Sequence, residues 1–374
     1  MSFADYQVIE VITKQQLKEF IDFPYKLYKK NKYWVPPLKL QEIEFYNSKK
    51  NAFFEHSKVK LFLCLKDNQV VGRISANINE NYNSFHNEQI GFWGSFEIIN
   101  DKTAAEKLFS AVYEFFKKND IKIVRGPFTF STNEISGLLV DSFDSAPLIM
   151  MPYNFEYYEK LLIELGHYKV KDLWAYYLDY ETYKKIMAVD ISKFINRYKL
   201  TCRKINFRKF EDEIKILNEI YNDAWEKNWG FVPMTYREFY NMGKELKTFV
   251  PEECVLLAYT EDQPAGFLIA LPDFNFILKK INGRLLPFGW LKILLNFKKI
   301  NRGRVITLGI SHKFRRRAID IYLIQQAIKY NGERFNAGTE LSWILEDNLV
   351  MNKILINFGL KHYKTYRIFE NKIE

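Results

Sequence analysis

Groups able to do acid–base or anion chemistry are sparse in this chain, and they sit in recognisable local contexts. Two carboxylates lie inside strand-like stretches: Glu97 in "GFWGSFEIIN" and Glu340 in "GTELSWIL". A carboxylate on a strand beside a cleft can take a proton directly or through water, or it can simply face solvent. His56, in "FFEHSK", is one of five histidines and a candidate proton acceptor, although a lone histidine is more often a hydrogen-bonded structural residue. Arg315, Arg316 and Arg317 stand immediately ahead of "AIDIYLIQQAIKYN", a helix-forming run. Three arginines at a helix start can meet an anion or form a solvated basic face. Cys64, Cys202 and Cys254 are scattered, without the spacing of a metal site, so no metal is expected and a reducing compartment is.

The elements that must position these groups follow a repeated order. "YQVIEVIT" has strand character, and "QQLKEFIDFPYKLYKKN" reads as a helix broken at Pro24. "VKLFLCLKDNQVVGRISANI" is a hairpin turning at Asp67–Asn68. A strand through Glu97, an amphipathic helix "TAAEKLFSAVYEFFKKND", the strand "IKIVRGPFTF" and a helix "PYNFEYYEKLLIELGH" stopping at Gly166 complete the first half. The second half runs through the same series: hairpin "CVLLAYTEDQPAGFLIAL", strand "RVITLGIS", helix, strand "TELSWIL", helix stopping at Gly359. Gly72 and Gly266 are as far apart as Asn154 and Asn348, which points to an internal duplication.

The net charge of +10 is local. Lys279, Lys280, Arg284, Lys292, Lys298, Lys299, Arg302 and Arg304 crowd between Phe274 and Arg304, where there is no acid. They interleave with Leu, Phe and Trp, so a nucleic-acid partner is not expected. "LLPFGWLKILLNFKK" within this stretch is shorter than the roughly 20 apolar residues of a membrane span. Lys292, Asn296 and Lys299 fall on one helical face, with Leu291, Ile293, Leu294, Leu295 and Phe297 around the rest and Trp290 at one end. That is the pattern of an interfacial amphipathic segment, bent at Pro287 and Gly289; a lid or a partner contact would be oily as well.

At "LGISHKFRRRAIDIYLIQQAI" and "EDNLVMNKILINFGL" the second half resembles the GNAT acyltransferase superfamily. The likeness extends over roughly residues 7 to 370 to a bacterial family of tandem GNAT-like proteins that includes ceramide synthases. It rests on "YWVPPL", "RGPFTFSTNEISGLLVDSFD", "MMPYNFEYYEKLL" and "GTELSWILEDN". The resemblance implies an α/β fold of mixed layers, with two GNAT-like domains in tandem. The expected bounds are a degenerate domain over 1–182, a helical linker over 183–203 and an acyl-donor domain over 204–374 with an insert at 272–303.

It further implies transfer of a fatty acyl group from a thioester of coenzyme A or of an acyl carrier protein to an amine, with a sphingoid base as preferred acceptor. The rivals are an acyl- or aminoacyltransferase acting on a soluble amine and a non-catalytic membrane-associated scaffold. By this resemblance Gly309 and Ile310 hold the place of the donor to the thioester oxygen. Arg315, Arg316, Arg317 and Ala318 hold that of the pyrophosphate loop, and Asn348 opens the late helix. The family's loop has glycines where Ala318 and Asp320 stand here, and its usual late tyrosine is Leu355. Glu340, Glu97 or His56 would take the amine's proton, and Asn133, Tyr157, Tyr158 and Trp290 would line the acceptor site. The first half lacks the loop and is expected to shape the acceptor pocket at the domain interface. Peripheral contact with the inner membrane through 276–300 and an otherwise cytoplasmic location complete the expectation.

Overall fold

A computed structural model describes residues 5–373. They fold as two compact units. One comprises the chain through Leu173 together with Ile277–Ile293 and the residues from Lys364 onward; the other comprises Trp174–Phe276 and Leu294–Tyr363.

The first unit opens with β1 (Tyr6–Glu10), α1 (Lys14–Leu27) and α2 (Lys39–Phe45), then β2 (Ser57–Lys66), β3 (Gln69–Asn79), α3 (Glu80–His86) and β4 (Ile90–Ile98). It continues through α4 (Lys102–Lys117), β5 (Ile123–Gly126), a short β6 (Leu138–Leu139) and α5 (Tyr157–Glu164). β1, β2, β3 and β4 pair antiparallel in that order, and β5 joins β4 in parallel. One face of this sheet carries Phe62, Cys64, Ile74, Ala76 and Ile98 against Leu108, Phe109, Val112 and Phe116 of α4. The other carries Leu61 and Leu63 against Phe20 and Ile21 of α1, with Tyr46, Phe53 and Phe130.

From β7 (Tyr168–Leu178) the chain enters the second unit: α6 (Tyr180–Met187), α7 (Ser192–Tyr198), β8 (Leu200–Lys204), α8 (Phe210–Trp225), α9 (Tyr236–Lys247), β9 (Val255–Thr260) and β10 (Gln263–Pro272). Two short helices follow, α10 (Asn275–Ile281) and α11 (Gly289–Asn296), and then β11 (Gly303–Ile310), α12 (Ile319–Asn331), β12 (Thr339–Leu345), α13 (Leu349–Asn357) and β13 (Lys361–Lys372). The order β8-β9-β10-β11-β12 repeats that of β1 to β5: antiparallel until the last pair, which is parallel.

The duplication is visible in backbone detail. Asp67 and Asn68 both have positive φ in the first hairpin turn, as do Glu261 and Asp262 in the second. This is the turn whose twist matches the flanking strands. In each hairpin the glycine lies across from the matching residue, Cys64↔Gly72 and Ala258↔Gly266. Gly166 and Gly359, at φ +84 and +86, end the two late helices.

The expected break at Pro24 does not occur; α1 runs through it. Proline removes the N–H that would reach the carbonyl four residues back. Here that carbonyl, Phe20 O, accepts instead from Arg73 Nη1 at 2.8 Å. A buried guanidinium from β3 thus supplies the missing donor, a long-range compensation that a local reading of the helix does not reveal. The insert between β10 and β11 is a pair of short helices, as the bend at Pro287 and Gly289 suggests.

Candidate active site

On the α1 side of the first unit's sheet, β2 presents Val59, Leu61 and Leu63. Their partners on β3 are Asn77, Ser75 and Arg73, all buried. An apolar sheet face therefore carries a polar row on its second strand. The row continues onto β4. Register between β3 and β4 shifts between Arg73 and Ser75, and Ser95 takes the bulge with φ +47. The bulge aims the Ser95 hydroxyl at Ser75 (3.2 Å) and Tyr46 (2.9 Å). Gly94 beside it is fixed by close approach, since a Cβ there would lie 1.7 Å from the carbonyl oxygen of Phe128.

Glu97 lies opposite Arg73 in this row. Its Oε2 accepts from the hydroxyls of Tyr28 at 2.7 Å and Tyr158 at 2.8 Å. Tyr158 is itself positioned by the Ile98 N–H, which donates to its oxygen at 2.9 Å, and Tyr157 donates to the Ile98 carbonyl at 2.6 Å. Burial pushes the Glu97 carboxyl up to about 7, against the opposing pull of Arg73 and the two tyrosines. A carboxylate poised at that value is half-charged at neutral pH and suited to proton transfer. Two buried groups of the row lack protein partners: both polar atoms of the Asn77 amide and the Arg73 Nε.

Glu340 is in a different state. It is fully buried, not facing solvent. Ser342 Oγ donates to its Oε1 at 2.6 Å, Tyr363 donates to Oε2, and Arg304 lies 3.5 Å away as its ion-pair partner. Both oxygens are engaged, and the group ties β11 to β12. His56 ends the turn before β2, with Nδ1 3.2 Å from Ser57 Oγ and its ring edge-on to Phe53. Asn133, in the loop before β6, donates its backbone N–H to Ser131 Oγ at 3.2 Å. The Trp290 indole N–H donates to the Pro287 carbonyl at 3.0 Å, leaving the ring half exposed.

The second unit holds the arginine loop and the strand that leads into it. Pairing between β11 and β12 stops at Val305 and Leu341, while β11 continues to Ile310 along β10. Ser311 N–H donates to Ala265 O at 2.9 Å across the opposite edge. Strand alternation then turns the Ile310 N–H toward the side where β12 has diverged. Gly309 cannot carry a side chain, because its Cβ would meet the Trp225 ring at 2.2 Å.

Between β11 and α12 the chain forms a loop with positive φ at Arg316 (63) and Ala318 (57). α12 begins without a side-chain cap, so its first N–H groups are open to an anion. Arg315 gives one arm to the Ala224 carbonyl at the end of α8 (2.7 Å), Arg317 stacks over Tyr198 and Phe314, and Arg316 is exposed. Asp223 fixes the loop's start by accepting from Ser311 Oγ and from His312 N–H at 2.8 Å. Asn348 caps α13 through the Met351 N–H at 3.2 Å, and Leu355 is core.

Ala318 occupies a left-handed conformation that costs an L-residue about 1–2 kcal/mol. Ala318→Gly should therefore raise stability by about 1 kcal/mol in urea unfolding. A destabilised Gly variant would mean that the alanine methyl is needed for packing.

Reading the residues alone singled out Glu97, Tyr157, Tyr158 and the arginine loop as candidates, but not Arg73, Ser75, Asn77, Ser95, Tyr28 or Tyr46, which lie beside Glu97 or along its row. The signal was there in "GRISANIN", where polar residues recur every second position inside an apolar hairpin.

No family model matches the chain. Comparison with curated proteins finds "Protein YghO" of Escherichia coli, 34% identical over 370 residues, covering 97% of this chain and 94% of that protein. It also finds "Bacterial ceramide synthase" of Caulobacter vibrioides, 33% identical over 388 residues and covering 99% and 98%. Among solved structures, a tandem GNAT protein from the clavulanic acid biosynthesis pathway aligns over 98% of both chains with TM-score 0.59 at 11% identity. A GCN5-related N-acetyltransferase from Sphaerobacter thermophilus aligns over 98% of this chain and 95% of its own, with TM-score 0.54 at 10% identity. The chain belongs to the tandem GNAT-like acyltransferase family that includes the Caulobacter ceramide synthase and YghO.

Proposed function

We propose that this chain is an N-acyltransferase that moves a fatty acyl group from an acyl-coenzyme A thioester to a lipid amine, with a sphingoid base as the preferred acceptor. The observation that carries the reading is the Glu97 carboxyl, held near 7 by burial, with the hydroxyls of Tyr28 and Tyr158 on one oxygen. The acceptor class is carried over from the Caulobacter relative's name, and the apolar, basic insert supports it. Exposed Leu286, Phe288, Trp290 and Leu291 stand beside exposed Arg284 and Lys292 there. That is the composition of a surface that settles reversibly on an anionic leaflet from the cytoplasmic side. Among the described residues no helix is long and apolar enough to cross a membrane.

In this reading the open Ile310 N–H polarises the thioester carbonyl, and the α12 start with Arg316 holds the diphosphate of the donor. The amine nitrogen attacks the carbonyl carbon and the C–N bond forms. A general base receives the proton, the C–S bond breaks, and sulfur departs with the electron pair. A thiol of pKa about 8.5 leaves readily as thiolate. Core Leu355 therefore creates no chemical deficit in the place where the wider family has a tyrosine.

The test is mass spectrometry of the purified protein with sphinganine and a panel of acyl-coenzyme A donors in detergent. The expected product is the N-acyl amide; failure to form any amide with folded protein overturns the reading. Removing residues 276–300 should abolish turnover of an amine presented in liposomes while sparing a water-soluble amine. Equal loss on both would assign the insert to folding or to the site itself.

A further inference from the structure

The insert is not the whole of the apolar surface on the first unit. On α2, Leu40 (55% exposed) and Ile43 (47% exposed) lie three residues apart, on one outward face. This helix is joined to the insert by backbone. Lys39 N–H donates to the Gly283 carbonyl at 3.0 Å, and Lys279 donates to the Lys32 carbonyl. Gly283, at φ +66, lies so close to Pro37 that a Cβ would come within 2.2 Å of the Pro37 oxygen. Tyr25 locks the same spot by donating to Pro37 O at 2.6 Å. The α2 start and the turn after α10 are therefore one rigid corner. Exposed Leu40 and Ile43 follow this corner on α2, and exposed Leu286 (73%) and Phe288 (68%) follow it in the insert. Lys32, Lys280, Arg284 and Lys292, on the segments that meet at the corner, are exposed, and the exposed acid of α2, Glu44, is paired with Lys50.

The inner side of α2 is opposite in character. Burial raises the Glu42 carboxyl, and the charge of Arg73 opposes the shift. Phe45 stacks on Phe130 at 4.6 Å, and Tyr46, at the helix end, hydrogen-bonds Ser95. One helix thus has an apolar outer face among cations and an inner face on the row that holds Glu97.

We propose that the outer face of α2 and the insert form a single surface that seats on an anionic lipid bilayer, with α2 as the partition between that bilayer and the polar row. The anionic bilayer is the occupant that satisfies both halves of the surface: hydrocarbon for the leucines, isoleucine and phenylalanine, and phosphate headgroups for the rim of lysine and arginine. A lipid amine then passes α2 to reach Glu97, a step that rests on the function proposed above. The surface itself is tested without any turnover.

Wild-type protein should partition onto phosphatidylcholine vesicles containing phosphatidylglycerol and much less onto phosphatidylcholine alone. Leu40→Glu/Ile43→Glu should weaken that partition at least tenfold at unchanged melting temperature. Binding equal to wild type overturns the proposal. As a second readout, Ile43→Cys labelled with an environment-sensitive dye should shift to shorter wavelength when the phosphatidylglycerol vesicles are added; an unshifted spectrum with the protein bound also overturns it. If vesicle binding falls as expected but no amide forms from any amine, the surface stands and the acyltransferase reading alone is lost.

Discussion

Glu97→Gln is expected to lower the rate of amide formation by roughly a hundredfold to ten-thousandfold, the usual contribution of a positioned general base. The substitution keeps the shape of the side chain and its ability to accept from Tyr28 and Tyr158, so folding and KM should change little while kcat falls. A pH profile gives the sharper readout. The base must be ionised, so wild-type kcat should rise with pH through about 7 and then level off. The Gln variant should lose that limb. Tyr28→Phe removes one hydrogen bond that holds the carboxyl down, so its limb should move to higher pH. A Gln variant with wild-type kcat, or an unmoved limb in Tyr28→Phe, assigns the proton to another group, and Glu340 would then be tried next.

The second large effect concerns stability in acid. His167 is buried between Trp93 and Phe109, with Nε2 2.9 Å from the Tyr113 hydroxyl. Burial lowers it from the ordinary 6.5 to about 3. The folded protein therefore keeps this ring neutral where the unfolded chain already binds a proton. Stability contributed by the neutral ring is complete above pH 6.5 and is lost progressively as the pH falls toward 3. At 1.36 kcal/mol for each pH unit of difference, the loss reaches on the order of 5 kcal/mol at the acid end. Urea unfolding of wild type between pH 7 and 4 should show a steep decline. His167→Phe should flatten it, even if a lost hydrogen bond lowers its stability at neutral pH. An equally steep decline in the variant would assign the acid sensitivity to carboxylates such as Asp172, held low by Arg367 and Lys169 against the opposing effect of burial.

Local chemistry made much of the fold legible in advance. The Asp67–Asn68 turn and the Gly166 and Gly359 stops follow from backbone preferences that one residue expresses alone. The insert was recognisable because its charge and apolarity contradict each other in a loop. What escaped was long-range. Pro24 reads as a breaker because nothing near it in sequence supplies a donor; the donor is Arg73, on another strand. Glu340 looks like a surface acid until Arg304 and Tyr363 converge on it. The polar row depends on a bulge at Ser95, a register detail that no periodicity encodes.

The make-up of the first unit bears on how the protein is born. Its fifth strand, β5, finds its antiparallel neighbour only in the last stretch of β13, where Phe369 faces Gly126 and Lys372 faces Ile123. Arg367 from that same stretch ion-pairs with Asp172 and Glu159, and Asn371 donates to Tyr113 and Leu165. Nascent domains generally fold from the N-terminal side as they emerge. Here the leading unit waits with an open sheet edge until residues 364–372 have cleared the ribosome, and an exposed edge is a template for mispairing. Ribosome-bound chains arrested before residue 364 should therefore be protease-sensitive in the first half, a site far in sequence from the missing strand.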